Sequence, residues 1–184
     1  DDVESRGLGD VYKRQIIMML CAGASEQAVS QWASAFAEQE LGISKTIGDL
    51  AGPMAFAALM GTSRLIYGIK GDKLNLDKFM KYSCLLCIFS YLCLALVPIP
   101  AINLMGCAVC GFSVGILWPG TFSKASSAIK GGGTALFAML ALAGDIGCSV
   151  GPTLVGMISS SFGNNLRAGI FAALIFPIVM IPVS

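Results

Sequence analysis

Apolar stretches of helical length follow one another along the chain, and short polar loops separate them. A helix needs about 20 apolar residues to cross the hydrocarbon core of a bilayer. Five of the six stretches reach or approach that length. The pattern therefore predicts an all-α membrane protein with six transmembrane helices, over residues 16–37, 47–69, 79–98, 102–122, 134–159 and 168–183.

Composition agrees with a lipid environment and narrows the range of partners. Hydrophobic residues make up 55% of the chain, and the mean hydropathy is +0.76. The formal net charge of +1 at pH 7 indicates no nucleic-acid partner. No loop is long enough to fold as a separate domain, so we expect the lipid bilayer to be the main surroundings of a single helical bundle.

The first fifteen residues stand apart from the rest. Residues 5–15 run SRGLGDVYKRQ and resemble one translated frame of a transposon-type sequencing adapter. We therefore interpret residues 1–15 as a non-native lead-in and exclude them from the functional argument, as a tag or fusion scar is excluded. On this interpretation residues 16–184 form a transmembrane bundle that is truncated at both ends.

Basic residues alternate between the two sides of the predicted bundle. Because cytoplasmic loops carry an excess of Lys and Arg, the loops after the second and the fourth stretch are predicted to be cytoplasmic. The other side carries Lys45 and Arg167 with the acidic pair Glu38 and Glu40. The predicted cytoplasmic side is flanked by Arg64, Lys70, Lys73, Lys78, Lys81, Lys124 and Lys130.

The first apolar stretch carries an unusual number of polar side chains. Residues three or four apart share a helix face, so Gln27 and Gln31 lie in one stripe and Glu26 on its flank. Unpaired polar groups are costly against lipid, so this face should meet other helices or a water-filled cavity. Amides and hydroxyls beside Trp32 suit a polar neutral solute such as a sugar, and they also suit an organic anion or a drug-like molecule. We predict Glu26, Gln27, Gln31 and Trp32 as solute-binding residues.

A second carboxylate, Asp145, lies about midway along the fifth stretch with no basic residue nearby in sequence. Intramembrane ionisable residues are functional candidates by default, so Glu26 and Asp145 are predicted as buried coupling carboxylates for a proton or cation. A structural helix–helix hydrogen bond is the alternative role for both. Small residues after Asp145 predict close packing against a neighbouring helix, at Gly147, Gly151, Pro152 and Gly156.

Cysteine usage does not indicate a metal or cofactor site. The pairs Cys84/Cys87 and Cys107/Cys110 have the spacing of metal and redox motifs, but each lies in an apolar stretch. The chain contains no histidine. We therefore interpret the cysteines as small packing residues and predict neither a metal nor a cofactor.

The loop after the second stretch resembles that of the major facilitator superfamily. In that family a Gly-x-x-x-Asp-Arg/Lys pattern joins the second and third helices of each half, and Gly68, Asp72 and Lys73 match it. The resemblance implies a conformational latch formed by Gly68, Asp72 and Lys73, with Arg64 above them. The glycine and proline run around Pro152 is similar to the motif in the fifth helix of each half.

The resemblance has consequences for the whole chain. Residues 16–184 resemble the C-terminal six-helix half of a twelve-helix carrier, similar to sugar-permease-like bacterial branches. It implies a secondary transporter that moves a small solute by alternating access, coupled to protons or cations, in a bacterial cytoplasmic membrane. A missing N-terminal half would then be the partner that completes the cavity.

Other classes of protein remain open on the residues alone. A non-transporting receptor or scaffold of the same fold would carry the same pattern, and a complete six-helix protein acting as a dimer would as well. A membrane-embedded enzyme is disfavoured, because the chain has no histidine and its two intramembrane carboxylates are well separated.

Overall fold

In the computed structural model, which describes residues 2–41, 44–129 and 132–183, the chain is almost entirely helical, and these ranges contain no strand. A single turn of 3-10 helix, Gly71–Lys73, lies between the third and fourth α-helices. The α-helices of the described ranges are α1 (Asp2–Ser30), α2 (Ala33–Leu41), α3 (Lys45–Lys70), α4 (Leu76–Leu96), α5 (Pro100–Val114), α6 (Leu117–Ala128), α7 (Gly133–Ser161), α8 (Leu166–Ala172) and α9 (Ile175–Val183).

Each of the six predicted stretches is helical, and three of them are divided by a break. The first stretch becomes α1 and α2, the fourth becomes α5 and α6, and the sixth becomes α8 and α9. Within the described ranges, three helical segments are long and apolar enough to cross a membrane: Leu76–Leu96, Pro100–Ala128 and Gly133–Ser161. Helices α1 and α3 are as long but more polar, so the count of six crossings stays a prediction.

Proline accounts for two of the three breaks. A proline has no N–H, so the carbonyl four residues earlier loses its helical donor. Pro119 lies four residues after Gly115, and Pro177 lies four residues after Ala173, and the helix is interrupted at both earlier positions. In the fourth stretch the break lies one turn before Pro119, at Gly115 and Ile116.

The two ends of the bundle are held by different polar contacts. At the end with the Lys-rich loops, called here the basic end, Lys124 pairs with Asp77, and the Tyr67 hydroxyl donates to Ser123 Oγ at 3.0 Å. At the opposite end, the Arg167 guanidinium donates to the carbonyls that finish α4, at 3.0 Å from Leu94 and 2.8 Å from Val97. Stretches that follow one another along the chain therefore run in opposite directions, as their short loops require, whereas the closely packed pairs α1/α7 and α3/α5 run parallel.

Glycine brings two helix pairs into backbone contact. A Cβ added to Gly147 or Gly151 of α7 would overlap the carbonyl oxygens of Leu20 or Ala24 on α1. A Cβ added to Gly111 of α5 would likewise overlap the Phe56 carbonyl of α3. Helices with small residues at their contacts can approach this closely without lost packing.

The core between these pairs is apolar and contains five buried cysteines, of which Cys21 lies on α1. Cys84, Cys87, Cys107 and Cys110 are buried between α4 and α5 with free thiols. Tyr91 is fully buried beside them, and its hydroxyl donates to the Ser25 carbonyl of α1 at 2.8 Å. This core fixes α4 and α5 against α1, and so places the polar part of α1 near the surface of the bundle.

Candidate solute-binding site

An ion pair between α1 and α3 forms the centre of the candidate site. The Arg64 guanidinium lies 3.3 Å from a carboxylate oxygen of Glu26. The Glu26 side chain is 13% exposed, and the Arg64 side chain is 44% exposed. The pair therefore lies at the edge of the bundle, where one side faces packed helices and the other side is open to a ligand.

Arg64 also contacts the break between α5 and α6. Its Nε donates to the carbonyl oxygen of Gly115 at 3.2 Å. Pro119 cannot donate to that carbonyl, because proline has no N–H. One guanidinium thus joins α1, α3 and the interrupted fourth stretch.

This position differs from the latch that the resemblance implied for Arg64. The partners described for Arg64 lie inside the bundle, whereas Gly68 and Lys73 are exposed at the basic end. The side chain of Asp72 lies outside the described part of the structure. The structure therefore places Arg64 with Glu26, and the latch role of Gly68, Asp72 and Lys73 stays a prediction.

Asp145 is exposed, and the expectation that it is buried is wrong for this chain. Helix α7 turns Gly144, Gly147 and Gly151 toward α1, so Asp145 falls on the face that the bundle leaves uncovered. The Cys148 Sγ of α7 packs against Gly23 of α1, 3.1 Å from the position that a Gly23 Cβ would occupy. Asp145 lies one helical turn before Cys148, and Glu26 lies one turn after Gly23. The two carboxylates therefore belong to one region of the surface, although neither contacts the other.

The three remaining predicted binding residues lie near the break between α1 and α2. Gln27 is half-buried on α1, and Gln31 is exposed at the break itself. The Trp32 indole N–H donates to the Pro152 carbonyl of α7 at 3.1 Å, and its ring fills the space beside Gly156. Trp32 therefore attaches the break to α7, which occupies the polar atom that a solute would need.

Replacing Trp32 with phenylalanine distinguishes the structural role of its hydrogen bond to Pro152 from the predicted role of its ring in solute binding. The variant keeps an aromatic ring but loses the N–H that bonds Pro152, and a net hydrogen bond contributes about 1 kcal/mol. We expect a lower midpoint of thermal denaturation in detergent and an unchanged solute affinity. A loss of solute affinity at unchanged stability would show instead that Trp32 contacts the solute. Trp32→Leu removes the aromatic ring as well and serves as the comparison for the effect of the ring.

Neither of two cavities in the described part of the bundle is lined by Glu26, Gln27, Gln31 or Trp32. A shallow groove of about 280 Å³ runs along α7 past Ser149 and Thr153. Both hydroxyls donate to carbonyls of their own helix, at 3.2 Å to Asp145 and 2.7 Å to Ser149. A larger cavity of about 570 Å³ lies at the basic end, but Val11, Arg14 and Gln15 of the adapter-like segment form one wall of it.

The candidate site contains charged and amide side chains. Among the described residues, no three metal-ligating side chains come together. Glu26 and Asp145 supply negative charge, Arg64 supplies a planar set of donors, and Gln27 and Gln31 supply amides. Sequence analysis missed the role of Arg64, because no local pattern shows which helix a side chain meets.

The helical bundle and its long apolar helices indicate an α-helical membrane protein with a half-exposed polar surface. Residues 3–152 match the family model of the Major Facilitator Superfamily, and the chain belongs to that family. Members of the family are transporters. No curated protein and no solved structure matches the chain.

Proposed function

We propose that the chain is part of a secondary active transporter that moves a small polar solute across a bacterial cytoplasmic membrane by alternating access. The observation that carries the proposal is the Glu26–Arg64 pair, which is half-open to a ligand on the surface that also holds Asp145. Charged groups inside membrane proteins usually face a bundle interior or a water-filled cavity. A solute cavity would provide the water-filled environment that the charged groups of this surface require.

A second helical half is the partner that fits the exposed polar surface. Against lipid, Arg64 and Asp145 would each be costly, since charged side chains are expensive in hydrocarbon. Facing a second bundle across a wet cavity, they remain hydrated. We propose that residues 16–184 are the C-terminal half of such a carrier, and sequencing the native gene upstream of the Ile16 codon tests this, because six further apolar stretches are expected there.

Coupling to a proton or a cation is assigned to the carboxylates. A carboxylate that releases its proton or cation only in one conformation links ion movement to solute movement. Glu26 is the first candidate, because its charge is compensated inside the bundle by Arg64 alone among the described ion pairs. Asp145 is the second candidate, because it lies within the same region of charge.

Uptake into proteoliposomes with an imposed ion gradient tests the proposal. We expect Glu26→Gln to lose accumulation of the solute while solute exchange between the two sides persists, because a permanently neutral residue mimics only the ion-loaded state. Asp145→Asn should weaken the dependence on the ion gradient.

The matched control is Glu38→Gln, which neutralises an exposed carboxylate on α2 outside the proposed site. It should transport like the unmodified protein. If Glu26→Gln and Asp145→Asn both keep accumulation and ion dependence, coupled transport through these residues is wrong. If the unmodified protein accumulates no solute under any imposed gradient, a receptor or scaffold of the same fold would account for the site better.

A further inference from the structure

The break between α5 and α6 has a carbonyl whose only described donor comes from another helix. Pro119 removes the N–H that would bond Gly115 within its own helix. Gly115 is buried, and a buried carbonyl without a donor is costly. The Arg64 Nε supplies that donor at 3.2 Å.

The other end of the same guanidinium is held by Glu26. Arg64 Nη2 lies 3.3 Å from Glu26 Oε2. The guanidinium is planar and its donors point in fixed directions, so a shift at one contact moves the other. The ionisable side chains of α7 are Cys148, which packs against Gly23 one turn before Glu26, and Asp145, which lies one turn before Cys148.

The backbone around Gly115 leaves Arg64 little freedom to compensate. A Cβ added to Gly115 would lie 2.8 Å from the Met60 carbonyl oxygen and 2.8 Å from the Ser63 Cβ. Helix α3 and the break are thus already in contact one turn before Arg64. The side chain reaches Gly115 from a fixed base, and only its guanidinium end can move.

We propose that Arg64 is a positioning residue through which the charge of Glu26 controls the break between α5 and α6. With Glu26 charged, the guanidinium is held at both ends and the Gly115 carbonyl is bonded. With Glu26 neutralised by a proton or by a bound cationic group, its hydrogen bond to Arg64 loses the contribution of the charge, so the guanidinium is held less firmly and the bond to Gly115 weakens. The fourth stretch then becomes free to bend at Gly115 and Ile116.

The inference rests on the proposed function only in assigning a use in transport to the link. The link itself consists of the contacts from Glu26 through Arg64 to Gly115. Hydrogen–deuterium exchange of the purified protein in lipid nanodiscs measures it without any transport. The reporter is the peptide that covers residues 112–120, whose amides span the break.

Neutralisation of Glu26 is the first arm of the experiment. The loss of one net hydrogen bond is worth about 1 kcal/mol, so Glu26→Gln should speed exchange in this peptide about fivefold. Arg64→Met should speed it at least as much, and adding Glu26→Gln to Arg64→Met should change nothing further. Glu38→Gln is the charge-matched control and should leave the peptide unchanged.

Pro119→Ala is the second arm, and it keeps the test valid if Arg64→Met fails to fold. The alanine N–H gives Gly115 a donor within its own helix, so the break no longer depends on Arg64. In this background Glu26→Gln should have no effect on the peptide.

Two results would overturn the inference. One is an unchanged exchange rate of the 112–120 peptide in Glu26→Gln, and the other is an equal acceleration by Glu26→Gln in the presence and absence of Pro119. If Glu26→Gln keeps ion-driven accumulation but speeds exchange in the 112–120 peptide, coupled transport through Glu26 is refuted and the link to the break is kept. If Glu26→Gln loses accumulation but leaves exchange in the peptide unchanged, only the link is refuted.

Discussion

Gly147→Ala is expected to destabilise the bundle by about 3 kcal/mol, which is the upper part of the usual range for overpacking. The added Cβ would overlap the Leu20 carbonyl oxygen of α1. That oxygen belongs to the backbone and cannot rotate away as a side chain does, so α1 and α7 must separate along their contact. Gly151→Ala should behave similarly, because its Cβ meets the Ala24 carbonyl.

Gly61→Ala is the matched control for both variants. Gly61 also lies inside a helix, but a Cβ there meets nothing within 4 Å. Alanine has the higher helix propensity, so this variant should be neutral or slightly more stable. The midpoint of thermal denaturation in detergent, followed by size-exclusion chromatography, compares the three. A midpoint for Gly147→Ala equal to that of Gly61→Ala would show that α1 and α7 do not pack as described.

Arg64→Met is expected to be the most harmful single change at the candidate site. Removing one partner of a fully buried ion pair costs roughly 3–5 kcal/mol, because the other charge is left unpaired. Since Arg64 is 44% exposed and Glu26 is 13% exposed, water compensates part of this loss, and we expect about 2 kcal/mol. The double variant Arg64→Met/Glu26→Gln should recover only part of the stability, because no uncompensated charge remains but the Gly115 carbonyl still lacks its donor.

The ion pair at the basic end supplies the comparison. Asp77 is 62% exposed in its pair with Lys124, and exposed pairs contribute at most about 1 kcal/mol. Asp77→Asn should therefore lower the denaturation midpoint much less than Arg64→Met does. Equal effects of the Arg64 single and double variants would contradict an electrostatic origin and would indicate lost packing of the Arg64 side chain.

These stability experiments also bear on function. A pair that is costly to break and half-open to solvent is easily biased by a bound ion or solute, because either can replace one of the two partners. The exposed Lys124–Asp77 pair at the basic end contributes little stability, so a bound ion or solute that replaces one partner has little effect there. For this reason Glu26 and Arg64 are a better choice for the first transport experiments than the residues of the predicted latch.

Much of the helical architecture could be predicted from the sequence. Long apolar stretches determine helix positions because a backbone in lipid must satisfy its own hydrogen bonds. All six predicted stretches are helical in the structure. The loop at Gly68, Asp72 and Lys73 indicated the family that the match over residues 3–152 shows.

The candidate site could be predicted only in part. The polar load of α1 marked Glu26, but the basic residue Arg64 was assigned to the loop because it is close to that loop in sequence. Trp32 was expected beside the solute, yet its N–H bonds α7. In both residues the side chain is long, and the position of its polar end depends on a helix that is distant in sequence.

By itself, the sequence determined the helical class, the approximate positions of the helices and the membership of the family. These properties depend on local composition, backbone hydrogen bonding and short motifs, which lie along the chain. Only the tertiary structure decided that Asp145 is exposed, that Glu26 pairs with Arg64, and that Arg64 bonds the carbonyl that Pro119 leaves without a donor. These properties depend on which helix faces meet, and the meeting faces are selected by glycine contacts between residues far apart in the chain.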